Sequence, residues 1–280
     1  MLTRANFGNI PEAYSGYEKS RFVILPIPFE KTGSWMHGAN MGPEAIIRAS
    51  AYMELYDIET ASQPFLQGIH TADPVLASTS ATMLDEAYTR AAAFGADGKF
   101  VISIGGEHTV SLGPIRAHHE KWPGMSVLHL DAHTDYRMEF EGNTLSHACV
   151  MARVSEFCRD IVSVGIRSMD ISERSYLSDE KIFYAHEIHN KVGWEVNVID
   201  KLSKDVYVTI DLDVFDPGIM PSTGTPEPGG LTWYQVTNLL KQVAGARNIV
   251  GMDVVELCPS NNPAPDFLAA KLIYRIISDL

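Results

Sequence analysis

Ser126-Val-Leu-His-Leu-Asp-Ala-His-Thr-Asp135 runs from a short apolar segment straight into Asp131, His133 and Asp135, each able to ligate a metal. Val127, Leu128 and Leu130 leave little polar surface on either side, which suits a strand buried on both faces. The same design returns at Asp205-Val-Tyr-Val-Thr-Ile-Asp-Leu-Asp213, where Asp211 and Asp213 close a second apolar run. Side chains at i and i+2 of extended backbone point the same way, so the paired groups converge.

Further strands are predicted at 22–27, 100–104, 161–165 and 249–255, with a shorter one at 182–185. Helical periodicity falls between them. One helix starts at Pro43 and carries Ile46, Ile47 and Met53. Another covers 80–94 with Leu84, Ala87, Tyr88 and Ala91 on one face, ended by Gly95 and Gly98. Others are expected at 110–121, 145–157, 194–202, 232–244 and 265–277. Alternating strands and helices imply parallel pairing through right-handed crossovers. The expected fold is α/β, a three-layer α/β/α sandwich around a mainly parallel central sheet, with residues 1–280 forming one domain.

Open parallel sheets bind ligands beyond the carboxyl ends of their strands. Gly105-Gly-Glu-His108 follows one predicted strand and Asp131 to Asp135 follow the next. Asp211 and Asp213 end a third, and Asp253-Val-Val-Glu256 ends the last. All the candidate chemistry therefore gathers on one rim.

Composition narrows the class of protein. Hydrophobic residues make up 45% and charged residues 20%, as in ordinary soluble domains, and no apolar run is long enough to span a membrane. The stretch Met1 to Gly8 lacks the apolar core of a secretory signal. Cys149, Cys158 and Cys258 show no CxxC spacing and suit a reducing, cytoplasmic setting. A formal charge of −13 argues against a nucleic-acid partner, favours solubility and attracts cations.

Carboxylates and imidazoles without thiolates suit hard divalent ions, Mn²⁺ or Mg²⁺ ahead of zinc. Bridging carboxylates can hold two such ions about 3.5–4 Å apart, and His108 would add a sixth ligand to the five groups beyond the two strands. Taken singly, each residue has a plainer explanation. A strand-end Asp is usually a turn former or helix cap, and Asp216-Pro217 is such a turn. His118 and His119 lie in mid-helix and are taken as structural. Jointly, the massed groups would repel one another without a cation.

These blocks resemble the signatures of the ureohydrolase family, which contains arginase and agmatinase: Gly-Gly-Glu-His108, Asp131-Ala-His-Thr-Asp135 and Asp211-Leu-Asp-Val-Phe-Asp-Pro217. Gly38-Ala-Asn-Met-Gly-Pro-Glu-Ala-Ile-Ile-Arg48, Gly224-Thr-Pro-Glu-Pro-Gly-Gly230 and Gly251-Met-Asp-Val-Val-Glu-Leu-Cys-Pro259 extend the likeness across residues 22–277. The resemblance implies an arginase-like fold with two Mn²⁺ ions. One takes His108, Asp131, Asp135 and Asp211; the other takes Asp131, His133, Asp211 and Asp213. It further implies that Glu256 binds the guanidinium, that Asp135 passes a proton to the leaving nitrogen, and that His147 shuttles protons to solvent.

Arginase-like members carry an Asn two residues beyond the third ligand, where this chain has Arg137, and its loop Tyr136-Arg-Met-Glu-Phe-Glu-Gly-Asn143 looks more like agmatinase. Agmatine is the expected substrate, giving putrescine and urea. Glu139, Glu141 or Glu227 would hold its ammonium tail. In the opposite reading, Arg137 anchors a carboxylate and the substrate is a guanidino acid such as guanidinobutyrate. The resemblance is also compatible with guanidinopropionase, arginase, formimidoylglutamase or guanidine hydrolase activity, and with a non-catalytic metal-binding homologue. It implies a homo-oligomer, trimeric or hexameric.

Overall fold

Eight parallel strands form the centre of the molecule in a computed structural model that describes residues 6–280. The first five residues of the stretch read for a secretory signal lie outside the described residues. The strands are β1 (Phe22–Ile27), β2 (Ile69–Thr71), β3 (Phe100–Gly105), β4 (Ser126–Leu130), β5 (Ile161–Ile166), β6 (Ile182–Tyr184), β7 (Asp205–Asp211) and β8 (Asn248–Val255). Their spatial order is β2-β1-β3-β8-β7-β4-β5-β6, and every neighbouring pair is parallel.

Nine α-helices accompany them among the described residues: α1 (Glu12–Ser15), α2 (Gly42–Ser50), α3 (Ser80–Ala96), α4 (Leu112–Lys121), α5 (Val150–Ser155), α6 (Ala185–Ile188), α7 (Trp194–Lys201), α8 (Trp233–Ala246) and α9 (Ala264–Asp279). The sheet buries both faces, as its apolar runs require. On β1, Phe22 and Ile24 join a core with α2, α7, α8 and α9, whereas Val23, Leu25 and Ile27 join one with α3 and Ala117 of α4. Val127 of β4 packs with α5 in a third cluster. The expected layering is present, and no helix of the described residues is long and apolar enough to cross a membrane.

Three local departures have physical causes. β2 is a three-residue edge strand, too short to show a period in the sequence. The helix expected at 145–157 opens as a 3-10 turn, His147–Cys149, and becomes α only at Val150, where the Asp135 carbonyl accepts the amides of Met151 (3.0 Å) and Ala152 (3.2 Å). The helix expected at 110–121 likewise begins with a 3-10 turn, His108–Ser111.

Register positions the site. Ser126 to Leu130 pair residue by residue with Val206 to Ile210, so Asp131 and Asp211 leave the sheet side by side. Thr209 lies opposite Asp253, and Ile102 to Ile104 pair with Met252 to Val254. The carboxyl ends of β3, β4, β7 and β8 thus adjoin at the middle of the sheet.

Candidate metal centre

His108 is delivered by a turn that only glycine allows. A Cβ on Gly106 would lie 2.1 Å from the Phe29 carbonyl oxygen, so the chain can pass this close only without a side chain. Amides of Gly106 and Glu107 donate to Ile27 and Phe29 carbonyls at 2.9 Å each, fixing the turn. The buried His108 then aims Nδ1 at three carboxylates: Asp135 Oδ2 at 3.0 Å, Asp131 Oδ2 at 3.2 Å and Asp211 Oδ2 at 3.5 Å. Its Nε2 is 2.9 Å from Thr209 Oγ1.

Asp131 faces two ways. Its Oδ2 meets His108 and, at 2.8 Å, His129 Nε2; its Oδ1 lies 3.6 Å from His133 Nδ1. His133 Nδ1 also stands 2.9 Å from Asp213 Oδ2. Asp213 Oδ1 accepts the Ala132 amide (2.9 Å), and the Asp213 amide donates to Asp211 Oδ1 (2.9 Å). Two ligand groups result, one of His108, His129, Asp131 and Asp135, the other of Asp131, His133 and Asp213, sharing Asp131. Five of the six expected ligands fall in these groups together with His129, and the sixth, Asp211, stands beside them 3.5 Å from His108 Nδ1.

Crowding shows in the acidities. Burial, then Asp213, Asp131 and Glu256, push Asp211 well above the usual carboxylate range, and burial and Asp131 raise Asp213. Burial opposes ionisation of Asp131 as well, but His129, His108 and His133 hold it well below. Burial works against charging His133, yet Asp213 and Asp131 push it up to about 12. His108 rises well above the ordinary imidazole value against its burial, through Asp131 and Asp135. Its Nδ1 nonetheless makes no well-directed hydrogen bond. A buried nitrogen facing three carboxylates without hydrogen-bond geometry has the disposition of a metal ligand, and a set of only Asp and His donors fits hard divalent cations.

A cleft of about 370 Å³ opens over this cluster, and Glu256, His147, Arg137 and Glu227 all line it. Glu256 adopts left-handed backbone (φ +67°), as does Asp135 (φ +55°), a conformation unusual outside glycine and common at functional sites. One Glu256 oxygen, Oε1, accepts the His108 amide at 2.6 Å. Burial and the nearby Glu107 push Glu256 well above the usual range, against the pull of the His108 amide. The His147 amide donates to Thr32 Oγ1 (3.0 Å), which leaves the Thr32 hydroxyl hydrogen for His147 Nδ1 at 3.1 Å. Glu107 Oε2 in turn accepts the amides of Lys31 (2.8 Å) and Thr32 (2.7 Å).

The loop charges sort themselves differently from expectation. Glu139 and Glu141 are exposed at a turn closed by Phe140 and Asn143 and do not line the cleft, so they are withdrawn as holders of a substrate tail. Arg137 stands over the Phe140 ring at 5.3 Å, and its guanidinium lies 3.5 Å from Asp170 and 3.8 Å from Glu173. Its charge is compensated within the protein. Glu227 lies 3.9 Å from His133 Nε2. The Asp216 carboxylate accepts the amides of Gly218, Gly229 and Gly230, the turn role expected of it. Arg167 donates to main-chain carbonyls of Asp213 (2.6 Å) and Glu227 (2.8 Å). His118 is structural, its Nδ1 bonded to the Pro114 carbonyl at 2.7 Å.

His129, Glu107, Thr32, Glu173 and Arg167 were not anticipated. His129 precedes Asp131 by two along a strand, so period-2 alternation could have placed it on the same side. Glu107 adjoins His108 in sequence. Glu173 closes a capping box with Asp170, a local pattern, but its bonds to Thr134 and Tyr136, like those of Arg167 to Asp213 and Glu227, join distant segments and leave no local signal.

A profile described as the Arginase family matches residues 20–278. This chain belongs to the arginase family. Two relatives are N(1)-aminopropylagmatine ureohydrolases: that of Synechocystis sp. is 37% identical over 95% of this chain and 91% of its own length, and that of Thermus thermophilus is 38% identical over 93% and 90%. The crystal structure of agmatine ureohydrolase of Thermoplasma volcanium superposes with a TM-score of 0.87 at 28% identity, covering 100% of this chain and 95% of that one. The arginase-family chain is a ureohydrolase, with its Asp and His cluster at the strand ends where its fold puts ligands.

Proposed function

We propose that this ureohydrolase cleaves a guanidine bearing a cationic tail, N(1)-aminopropylagmatine ahead of agmatine. The products would be urea with spermidine or putrescine, respectively. The carrying observation is the compensation of Arg137 by Asp170 and Glu173, which removes the cleft's candidate anchor for a substrate carboxylate. Glu227, which also lines the cleft, is acidic and favours a cation. The aminopropyl form is preferred because relatives at 37% and 38% identity bear that name; agmatine stays as second reading through the Thermoplasma volcanium structure.

His108, Asp131, Asp135 and Asp211 would hold one Mn²⁺ ion, and Asp131, His133, Asp211 and Asp213 a second. When bound, such cations acidify a water and offset negative charge at the reacting carbon. Glu256 orients the guanidinium: Oε1 is already committed to the His108 amide, and Oε2 remains for the substrate. Water adds its oxygen to the guanidino carbon, the bond from that carbon to the alkylated nitrogen breaks, the second proton of the water leaves as the urea carbonyl forms, and the first is carried to the departing amine. Asp135 is the group that receives and passes on this proton, and His147 exchanges protons with solvent. Glu107 supports His147 by holding the amide of Thr32.

The chain is further read as one domain over residues 1–280, which a single continuous sheet supports. Three buried free thiols support a cytoplasmic setting, and the family resemblance supports a trimer or hexamer in a route of polyamine synthesis. The decisive experiment measures urea released from N(1)-aminopropylagmatine, agmatine, guanidinobutyrate, arginine and guanidine after Mn²⁺ loading. The aminopropyl compound should give the highest kcat/KM. Preference for guanidinobutyrate would restore Arg137 as an anion anchor, and silence toward all five would remove the catalytic reading.

A further inference from the structure

Behind the ligand cluster, on the same rows of the sheet, lies a polar column that the proposed reaction does not use. Tyr207 and Thr209 alternate along β7, and Asp253 of β8 sits opposite Thr209. Asp253 is fully buried. Among the described residues no Lys or Arg bonds it; its partners are hydroxyls, Thr209 Oγ1 to Oδ1 at 2.7 Å, Tyr207 Oη to Oδ2 at 2.9 Å, and that of Ser111. A buried carboxylate is costly, so one held only by hydroxyls calls for a reason.

Hydrogen-bond direction supplies it. Burial and Asp253 keep the Tyr207 phenol protonated, hence a donor. Burial raises the Asp253 carboxyl, but the hydroxyls of Thr209, Tyr207 and Ser111 are all directed at it, so it accepts, and the single Thr209 hydrogen, with Asp253 Oδ1 at 2.7 Å against Ser111 Oγ at 3.5 Å, is spent on it. Thr209 Oγ1 then has only lone pairs left for His108 Nε2 at 2.9 Å, and that nitrogen must carry a hydrogen. With its hydrogen fixed on Nε2, His108 has Nδ1, the atom that faces Asp131, Asp135 and Asp211, as the nitrogen it can offer a cation.

We propose that Asp253 is a positioning residue which, acting through Thr209, polarises His108 so that Nδ1 is the nitrogen offered to a divalent cation. This rests on the cluster being a metal centre. Without Asp253 the Thr209 hydroxyl is free to turn and donate to Nε2. The imidazole hydrogen then moves to Nδ1, where it competes with the cation.

The test is a Mn²⁺ titration of the metal-free protein, with unbound ion counted by electron paramagnetic resonance. Thr209→Val, close in shape but without the hydroxyl, breaks the column. Thr209→Ser keeps it, and Asp253→Leu removes the acceptor. Wild type and Thr209→Ser should take up two ions. Thr209→Val and Asp253→Leu should each lose about 10–100-fold in affinity for one ion while keeping the other, the size expected when a ligand's outer partner is removed. Should Asp253→Leu fail to fold, Thr209→Val against Thr209→Ser decides. Wild-type affinities in Thr209→Val, or equal weakening of both ions, would overturn the proposal and leave the column a packing feature. A wild-type protein that binds no Mn²⁺ would instead overturn the metal reading beneath it.

Discussion

Single side chains at this site have separable duties. His147 touches Thr32 and the Phe140 ring edge, and no ligand of the cluster is among its recorded partners. His147→Asn should therefore lower kcat by about 100-fold, the scale of lost proton transfer, while metal analysis still finds the wild-type content. Parallel loss of metal would make it a support of the centre. Asp213 bonds His133 and the Ala132 amide, so Asp213→Asn should release one ion and spare the other. Two tight ions in that variant would strike Asp213 from the ligand set. Asp213 was legible as a candidate because strand-end spacing is local, whereas His147 was named only through the family resemblance of its loop. The pairing of Arg137 with Asp170 and Glu173 was not legible, since it depends on how a later segment folds back over the loop.

Elements obey the same division between local and distant causes. Long apolar runs announced β1, β3, β4, β5, β7 and β8, whereas β2 is defined only by its pairing with β1. The capping box at the head of α8, Thr232 with Gln235, is written in four consecutive residues. The fit of α4 against β8 is not. A Cβ on Gly251 would meet His118 Nε2 at 2.3 Å, and the His118 ring is pinned by the Pro114 carbonyl and lies beside Trp122 and Tyr207. Gly251→Ala should cost about 1–3 kcal/mol by overpacking, seen as a lowered Tm in the metal-free protein. An unchanged Tm would mean that α4 shifts freely over the sheet.

At the level of the whole molecule, the cluster links folding to pH. Asp211, Asp213, Glu256, His108 and His133 all bind protons more tightly when folded than when unfolded. Stability from groups shifted this way is present at low pH and is lost as pH rises through their folded pKa values. Asp131, held low, has the opposite sign, and its share disappears only in acid. Cations displace those protons, so the rise in Tm on adding Mn²⁺ should be larger at about pH 8 than at about pH 6. Calorimetry with and without chelator checks this, and a larger rise at the acid end would reverse the sign. A second whole-molecule property follows from how residues 216–230 are moored. Asp216 and Arg167 grip that segment by its main chain, through the amides of Gly229 and Gly230 and the carbonyl of Glu227. Because the moorings ignore side-chain identity, mutation at 225–228 is cheap for the framework, whereas Gly229, at φ +82°, is held to glycine. Descendants of such a gene can drift in what they consume while inheriting the hydrolytic engine intact.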